Sequence, residues 1–278
     1  MNAKTFYNNY IKTRPRLNTA ILPFLIFLKF FVESIIAAPR QLLQIDFVRF
    51  VVCLPRYFLF YLLLRRRKFS AIISDANSKN TIEHNMRGVG ELSAPRSHIL
   101  IRPLLSIGWV KRNIESLRVL SIGPRVEGEI YNLMGYGFKR KNIFAIDLFS
   151  YSPLIDVGDM HSMQYENNSF DVVICGWVLG YSDNRELAAA EILRITKPGG
   201  IVAVGNAYVE FDSKIVSANV GVTYQIGSNE VLNSLDQIDE IFKIEPKDYI
   251  FKSDGSETKV MGDPMIAIFR KNGALNSL

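Results

Sequence analysis

Cysteine is scarce in this chain: two thiols, Cys53 and Cys175, among 278 residues. Two are too few for a disulfide scaffold or a cysteine-rich zinc site. The three histidines, His84, His98 and His161, show no metal-ligand spacing, so no metal site is expected. Gly-X-Y periods, heptads and internal repeats are absent, which excludes collagen, coiled-coil and solenoid architectures. Acid is scarce in one place only. Residues 1–68 hold twelve Lys/Arg against two Asp/Glu, a charge of +10, while the remainder carries −4. The basic excess therefore belongs to the first quarter, and the rest makes a poor nucleic-acid surface. No nucleic-acid partner is expected.

What is present supports a sizeable core: 48% of residues are hydrophobic and 22% charged. Residues 21–38, ILPFLIFLKFFVESIIAA, form an apolar stretch broken by Lys29 and Glu33. Those two lie on one helical face, and a central ion pair is costly for a bilayer span. Ala37-Ala38-Pro39 supplies no convincing signal-peptide cleavage site. A second apolar stretch, 42–64, carries Asp46, Arg49 and Arg56, is kinked by Pro55, and runs into Arg65-Arg66-Arg67-Lys68. Interrupted apolar helices beside a basic run read as helices lying in a membrane surface. Core-packing helices or a dimer interface is one alternative, and a true span another. Residues 1–68 are thus expected as a basic, apolar helical segment, 69–98 as a linker, and 99–278 as the main domain.

Within that domain, 99–114 suggests a short helix. Buried strands are expected at 117–123, 142–147, 171–179 and 200–206, with helices near 127–138 and 184–196. Short apolar runs alternating with helices imply an α/β fold with a parallel sheet covered on both faces. A helix at 228–241 and two closing strands, 248–254 and 264–272, resemble a terminal antiparallel pair.

In such sheets ligands bind at the carboxyl ends of the strands. The first strand runs into Gly123-Pro124-Arg125-Val126-Glu127-Gly128-Glu129, and the second ends at Asp147, 24 positions beyond Gly123. An acid there can accept hydrogen bonds from both hydroxyls of a ribose. Gly158-Asp159-Met160, then SFDVVICGWVL at 169–179, then EILRITKPGG from Glu191 to Gly200, follow in order.

This ordered set resembles the class I S-adenosylmethionine-dependent methyltransferases, of the methyltransferase type 11 kind, over roughly 99–272. The resemblance implies a seven-stranded Rossmann-like sheet and S-adenosyl-L-methionine as cofactor. It implies that Gly123 lies under the methionine part, Asp147 binds the ribose, and Asp159 and Met160 frame the adenine. Gly176 and Trp177 would line the floor beside the methyl group. Lys197-Pro198-Gly199-Gly200 would be a structural turn. The chain departs from the family where it has Ser121 in place of an acid, and Arg125 and Glu127 in place of glycines. Glu127 or Glu129 is the expected replacement partner for the methionine amino group; the other possibility is two acids favouring a helix dipole.

Asp171 opens a strand away from the carboxyl ends and reads as structural. His161 could serve as a base, although a lone loop histidine is more often inert. Tyr181, Asp183, Tyr208, Glu210 and Asp212 fall just after strands, where an acceptor would lie. No catalytic base stands out. The Asn-Pro-Pro-Tyr type motif of amino-group methylation is absent. The expected activity is methyl transfer to a small molecule, a saccharide or a lipid-linked intermediate, by a cytoplasmic enzyme peripheral on the inner face of a membrane. A non-catalytic binding or scaffold protein of the same fold is the alternative. A nicotinamide-dependent oxidoreductase fits less well, because GPRVEG does not meet its glycine fingerprint.

Overall fold

The computed structural model describes residues 40–69, 91–182, 184–208, 232–254 and 262–272. Chain order is α1 (Asp46–Tyr57), β1 (Lys68–Phe69), α2 (Ser97–Leu105), α3 (Gly108–Asn113), β2 (Val119–Ile122), α4 (Gly128–Gly135), β3 (Ile143–Asp147), β4 (Phe149–Ser150), β5 (Asp156–Val157), β6 (Phe170–Gly176), α5 (Arg185–Ile195), β7 (Thr196–Ala207), α6 (Leu235–Phe242), β8 (Tyr249–Ser253) and β9 (Pro264–Arg270).

The Val- and Ile-rich runs become strands buried on both faces, as continuous apolar composition requires. Seven of them form one sheet in the order β5-β3-β2-β6-β7-β9-β8. β5, β3, β2, β6 and β7 are parallel to their neighbours, while β9 runs antiparallel between β7 and β8. The closing pair anticipated from the sequence is this reversal. From β2 the chain steps outward through β3 to β5, then returns to place β6 on the other side of β2. The strand order therefore switches between β2 and β6, and in such sheets ligands bind at the carboxyl ends of the strands beside the switch.

Successive side chains point to opposite faces of a strand, so each strand feeds two cores. Val173, Cys175, Val202 and Val204 pack with Ile192 and Ile195 of α5 and Ile238 and Phe242 of α6. Val119, Val172, Ile174 and Ala203 pack with Leu100 and Leu104 of α2, Val110 of α3 and Leu133 of α4. Asn184 caps α5 by accepting from the Leu187 N–H. Ser234 and Gln237 form a capping box at the start of α6.

Three details differ from the sequence reading. The helix expected over 99–114 is two, α2 and α3, separated at Ile107, whose backbone is extended. β7 begins at Thr196, before the glycine pair. Phe170 pairs with Thr196 and Val172 with Ile201, so Lys197–Gly200 loop out between them. β5 has two residues, too short to leave a periodic signal. The 21–38 stretch, residues 70–90 of the expected linker, and 228–231 of the expected helix lie outside the described residues.

Residues 40–69, expected within a separate segment, pack onto the sheet domain. Cys53 of α1 sits in a buried cluster with Leu92, Val126, Phe149 and Tyr151. β1 pairs with β4. Pro55 has no N–H for the helical ladder, and α1 passes into a π-helical turn at Phe58–Leu63. The inward face of α1 is polar as well as apolar. Arg49 is buried and donates to the carbonyls of Ser93 and Leu43 at 2.7 Å each, to Asn132 Oδ1 at 3.1 Å, and to Asp46.

Candidate functional site

The candidate site lies at the carboxyl ends of β2, β3, β5 and β6. β2 leaves the sheet at Gly123, whose φ is +72° and whose N–H donates to the Ile146 carbonyl at 2.8 Å. A Cβ at this position would lie 2.1 Å from Val178 Cγ1. Both the backbone angle and the space demand glycine here. Arg125 follows at φ +50°, so the loop keeps a left-handed backbone where the family carries glycine, but with a side chain attached.

Asp147 ends β3 and is buried. Its Oδ2 accepts from the Arg125 N–H at 3.1 Å and its Oδ1 from the Phe149 N–H at 3.2 Å. The carboxylate thus pins the first loop to the second strand. Glu129, in the first turn of α4, accepts a hydrogen bond from the Ser121 hydroxyl. Burial pushes its carboxyl up from 4.5 to about 7; the Ser121 hydrogen bond opposes that shift and the charge of Asp147 adds to it. Among the described residues no cation pairs with Glu129.

Glu127 is placed differently from its expected cofactor role. It is fully buried, with Oε2 2.5 Å from Arg56 Nε and Oε1 accepting from Arg56 Nη2 at 3.1 Å and Ser152 Oγ at 2.5 Å. Its partner stands 71 residues away, and nothing local in the sequence could have announced it. Gly128 is required by the fold rather than by a ligand, since a Cβ would meet the Leu92 carbonyl oxygen at 2.3 Å.

On the β5 side the Gly158 N–H donates to the Asp147 carbonyl at 3.0 Å. Asp159 Oδ1 accepts from the His161 N–H at 2.9 Å and lies 2.6 Å from His161 Nδ1. His161 Nε2 is 2.7 Å from Ser182 Oγ, so both ring nitrogens are engaged in holding two loops together. Met160 packs half-buried on the α5–α6 core. On the β6 side Trp177 has φ +58°, a strained setting for a bulky residue. Its N–H donates to the Gly205 carbonyl at 2.7 Å, and its ring packs on the α2 core with the Arg96 guanidinium 5.7 Å from the ring centre. Gly176 faces Leu100, 3.3 Å from where a Cβ would stand.

Asp171 lies at the opposite end of β6, accepting from the Arg118 N–H at 2.8 Å and pairing with Lys197 Nζ at 2.7 Å. That is the structural role anticipated for it. Tyr181 follows β6 in a short 3-10 turn, and Tyr208 packs against the α5–α6 core. Asp183, Glu210 and Asp212 lie outside the described residues.

Residues 133–204, from the last turn of α4 through most of β7, match the family described as a methyltransferase domain. That match and the sheet order support an S-adenosylmethionine-dependent methyltransferase of the class I kind. No curated protein matches it. Among solved structures the methyltransferase is similar to phosphoethanolamine N-methyltransferase 2 of Haemonchus contortus, in complex with phosphomonomethylethanolamine and S-adenosylhomocysteine. That likeness has 14% identity and a TM-score of 0.50, covering 72% of this chain and 61% of that one. It is also similar to N-methyltransferase NodS of Bradyrhizobium japonicum, in complex with S-adenosylhomocysteine, at 15% identity and TM-score 0.45 over 70% and 100% of the two chains. The [4+2]-cyclase SpnF matches at 15% identity and TM-score 0.44 over 63% and 80%. At 14% identity the first of these likenesses shows the fold alone.

The residues present in the methyltransferase fit S-adenosylmethionine. A cationic, diol-bearing ligand needs a carboxylate for each feature and a strand end that admits close approach. Glu129 and Asp147 are carboxylates suited to those two features, both beside the loop that follows β2.

Proposed function

We propose that this methyltransferase binds S-adenosylmethionine through Gly123, Glu129, Asp147, Asp159 and Met160, with Gly176 and Trp177 beside the reacting methyl. The reading is carried by the acid pair at the strand ends, Glu129 on Ser121 and Asp147 on the Arg125 amide. Ser121 stands where the family has an acid, and Glu129 brings a carboxylate to the same hydroxyl from the neighbouring helix. Glu127 takes no part in binding and instead holds the loop through Arg56.

When bound, the cofactor supplies an electrophilic methyl group and its own leaving group. Gly123 gives the loop after β2 its left-handed turn, with Val178 packed against it. Glu129 neutralises an ammonium group, and Asp147 accepts from ribose hydroxyls while its loop stays anchored. Trp177 and Gly176 shape the floor on which an acceptor atom is aligned and from which water is excluded. His161, tied to Asp159 and Ser182, is a positioning residue for the adenine loop rather than a base.

The acceptor is a small molecule, a saccharide or a lipid-linked intermediate, methylated by an enzyme working peripherally on the inner face of a membrane. Calorimetric titration with S-adenosylmethionine and S-adenosylhomocysteine tests the binding half of this reading. Micromolar binding of both is expected. A wild-type chain that binds neither is a non-catalytic member of the fold, and the proposal fails.

A further inference from the structure

Helix α1 is built inside out. Its inward side carries Arg49, fully buried, and Arg56, paired with buried Glu127. Its outward side carries Phe47, Phe50 and Leu54, and the line continues through Phe58 and Leu62 of the π-helical turn. These positions are three or four apart and so share one face. Phe47 is 73% exposed, and Leu42, Ile45, Leu63 and Leu64 extend the apolar surface at either end. Scattered exposed leucines need no explanation, but a continuous row of aromatic and aliphatic side chains does. Arg65, Arg66, Arg67 and Lys68 follow at once, where the chain leaves the helix, and Arg67 stacks on Tyr61 at 4.7 Å.

We infer that the outward face of residues 42–64 is the surface that enters a lipid bilayer, with Arg65–Lys68 resting on anionic headgroups. A membrane offers both halves of what this surface lacks, an apolar phase beside a negatively charged layer. An apolar peptide segment or a second copy of the same basic face offers only the first, and a second copy would bring four more positive charges against these four. Among the described residues no helix is long and apolar enough to cross a membrane, so the helix lies in the interface. This inference rests on the membrane part of the proposed function and is independent of methyl transfer.

The test uses the full-length chain in flotation with neutral phosphatidylcholine vesicles and with vesicles containing 30 mol% phosphatidylglycerol, an amount on the order of a natural anionic leaflet. Partition onto the anionic vesicles is expected. The variant Phe47→Glu/Phe50→Glu/Leu54→Glu should lose at least about tenfold in partition. Leu187→Glu, an equally exposed leucine (48%) on α5, should lose nothing. Replacing Arg65, Arg66, Arg67 and Lys68 by glutamine should remove about a hundredfold or more and abolish the preference for anionic lipid. S-adenosylmethionine titration of each variant keeps folding and cofactor binding separate from lipid binding. The inference is overturned if the stripe and Leu187 variants float alike. It is also overturned if the stripe variant instead dissociates a dimer, which makes the face a contact between copies. Loss of urea stability in the stripe variant without loss of flotation overturns it too, because the face then packs against protein rather than lipid.

Discussion

Arg56 and Glu127 form a two-pronged ion pair, 2.5 Å at Nε and 3.1 Å at Nη2, between the outward-facing helix and the residue that precedes α4. Glu127 has no exposure, and Arg56 retains a fifth of its side-chain surface. The pair therefore fastens α1 to the far end of the loop that follows β2.

Removing one partner of such a pair strands a buried charge. Arg56→Met should destabilise the fold by about 3 kcal/mol or more in urea titration. The double variant Arg56→Met/Glu127→Leu should recover much of that loss. If the two single variants and the double are equally damaging, the pair is not a coupled unit.

Glu129 gives the fold a pH dependence of known sign. Its folded carboxyl titrates near 7 against 4.5 in the unfolded chain. Between those values the native state holds a proton that the unfolded state has released. Stability should therefore fall as pH rises from 4.5 to about 7, by about 3 kcal/mol in this group's share, and level off above. Glu129→Gln should flatten that slope. A cationic ligand favours the ionised acid, so S-adenosylmethionine should release close to one proton near pH 6 and bind about tenfold more weakly per unit below that. Calorimetry in buffers of different ionisation enthalpy reads the proton directly, and its absence removes Glu129 from the site.

Two loop residues with left-handed backbone should respond in opposite ways. Gly123→Ala places a Cβ on Val178 at φ +72° and should cost about 2 kcal/mol in stability as well as cofactor affinity. Arg125→Gly relieves a left-handed residue at φ +50° and should raise stability by about 1 kcal/mol. Thermal and urea unfolding of the two variants decide it.

Asp147→Asn preserves the shape of the strand end and removes the charge. Cofactor affinity should drop by about 1.5–3 kcal/mol, the range for a hydrogen bond to a charged group. Unchanged affinity by calorimetry would show that the ribose lies elsewhere.

The sheet was legible because its strands are short, apolar and separated by helical stretches, a pattern that burial on both faces imposes locally. Gly123 and Asp147 were legible for a similar reason, since strand ends and turns write their demands into neighbouring residues. The two-residue β5 was not, having no period to detect. Nor was the choice between Glu127 and Glu129. They stand two positions apart at the start of one helix, so they face different sides of it, and only the packing shows which side each one meets.

By itself, then, the sequence determined the α/β class, the alternation of strands and helices, the strand-end acid Asp147 and the basic, apolar character of the first quarter. All of these follow from local composition and spacing. The tertiary structure alone decided that Arg56 claims Glu127, that Ser121 claims Glu129, and that α1 turns its charges inward and its phenylalanines outward. Amphipathic periodicity specifies two faces of a helix but not which of them meets the protein. Here buried hydrogen bonds to Ser93, Asn132 and Glu127 fix that choice from residues distant in the chain.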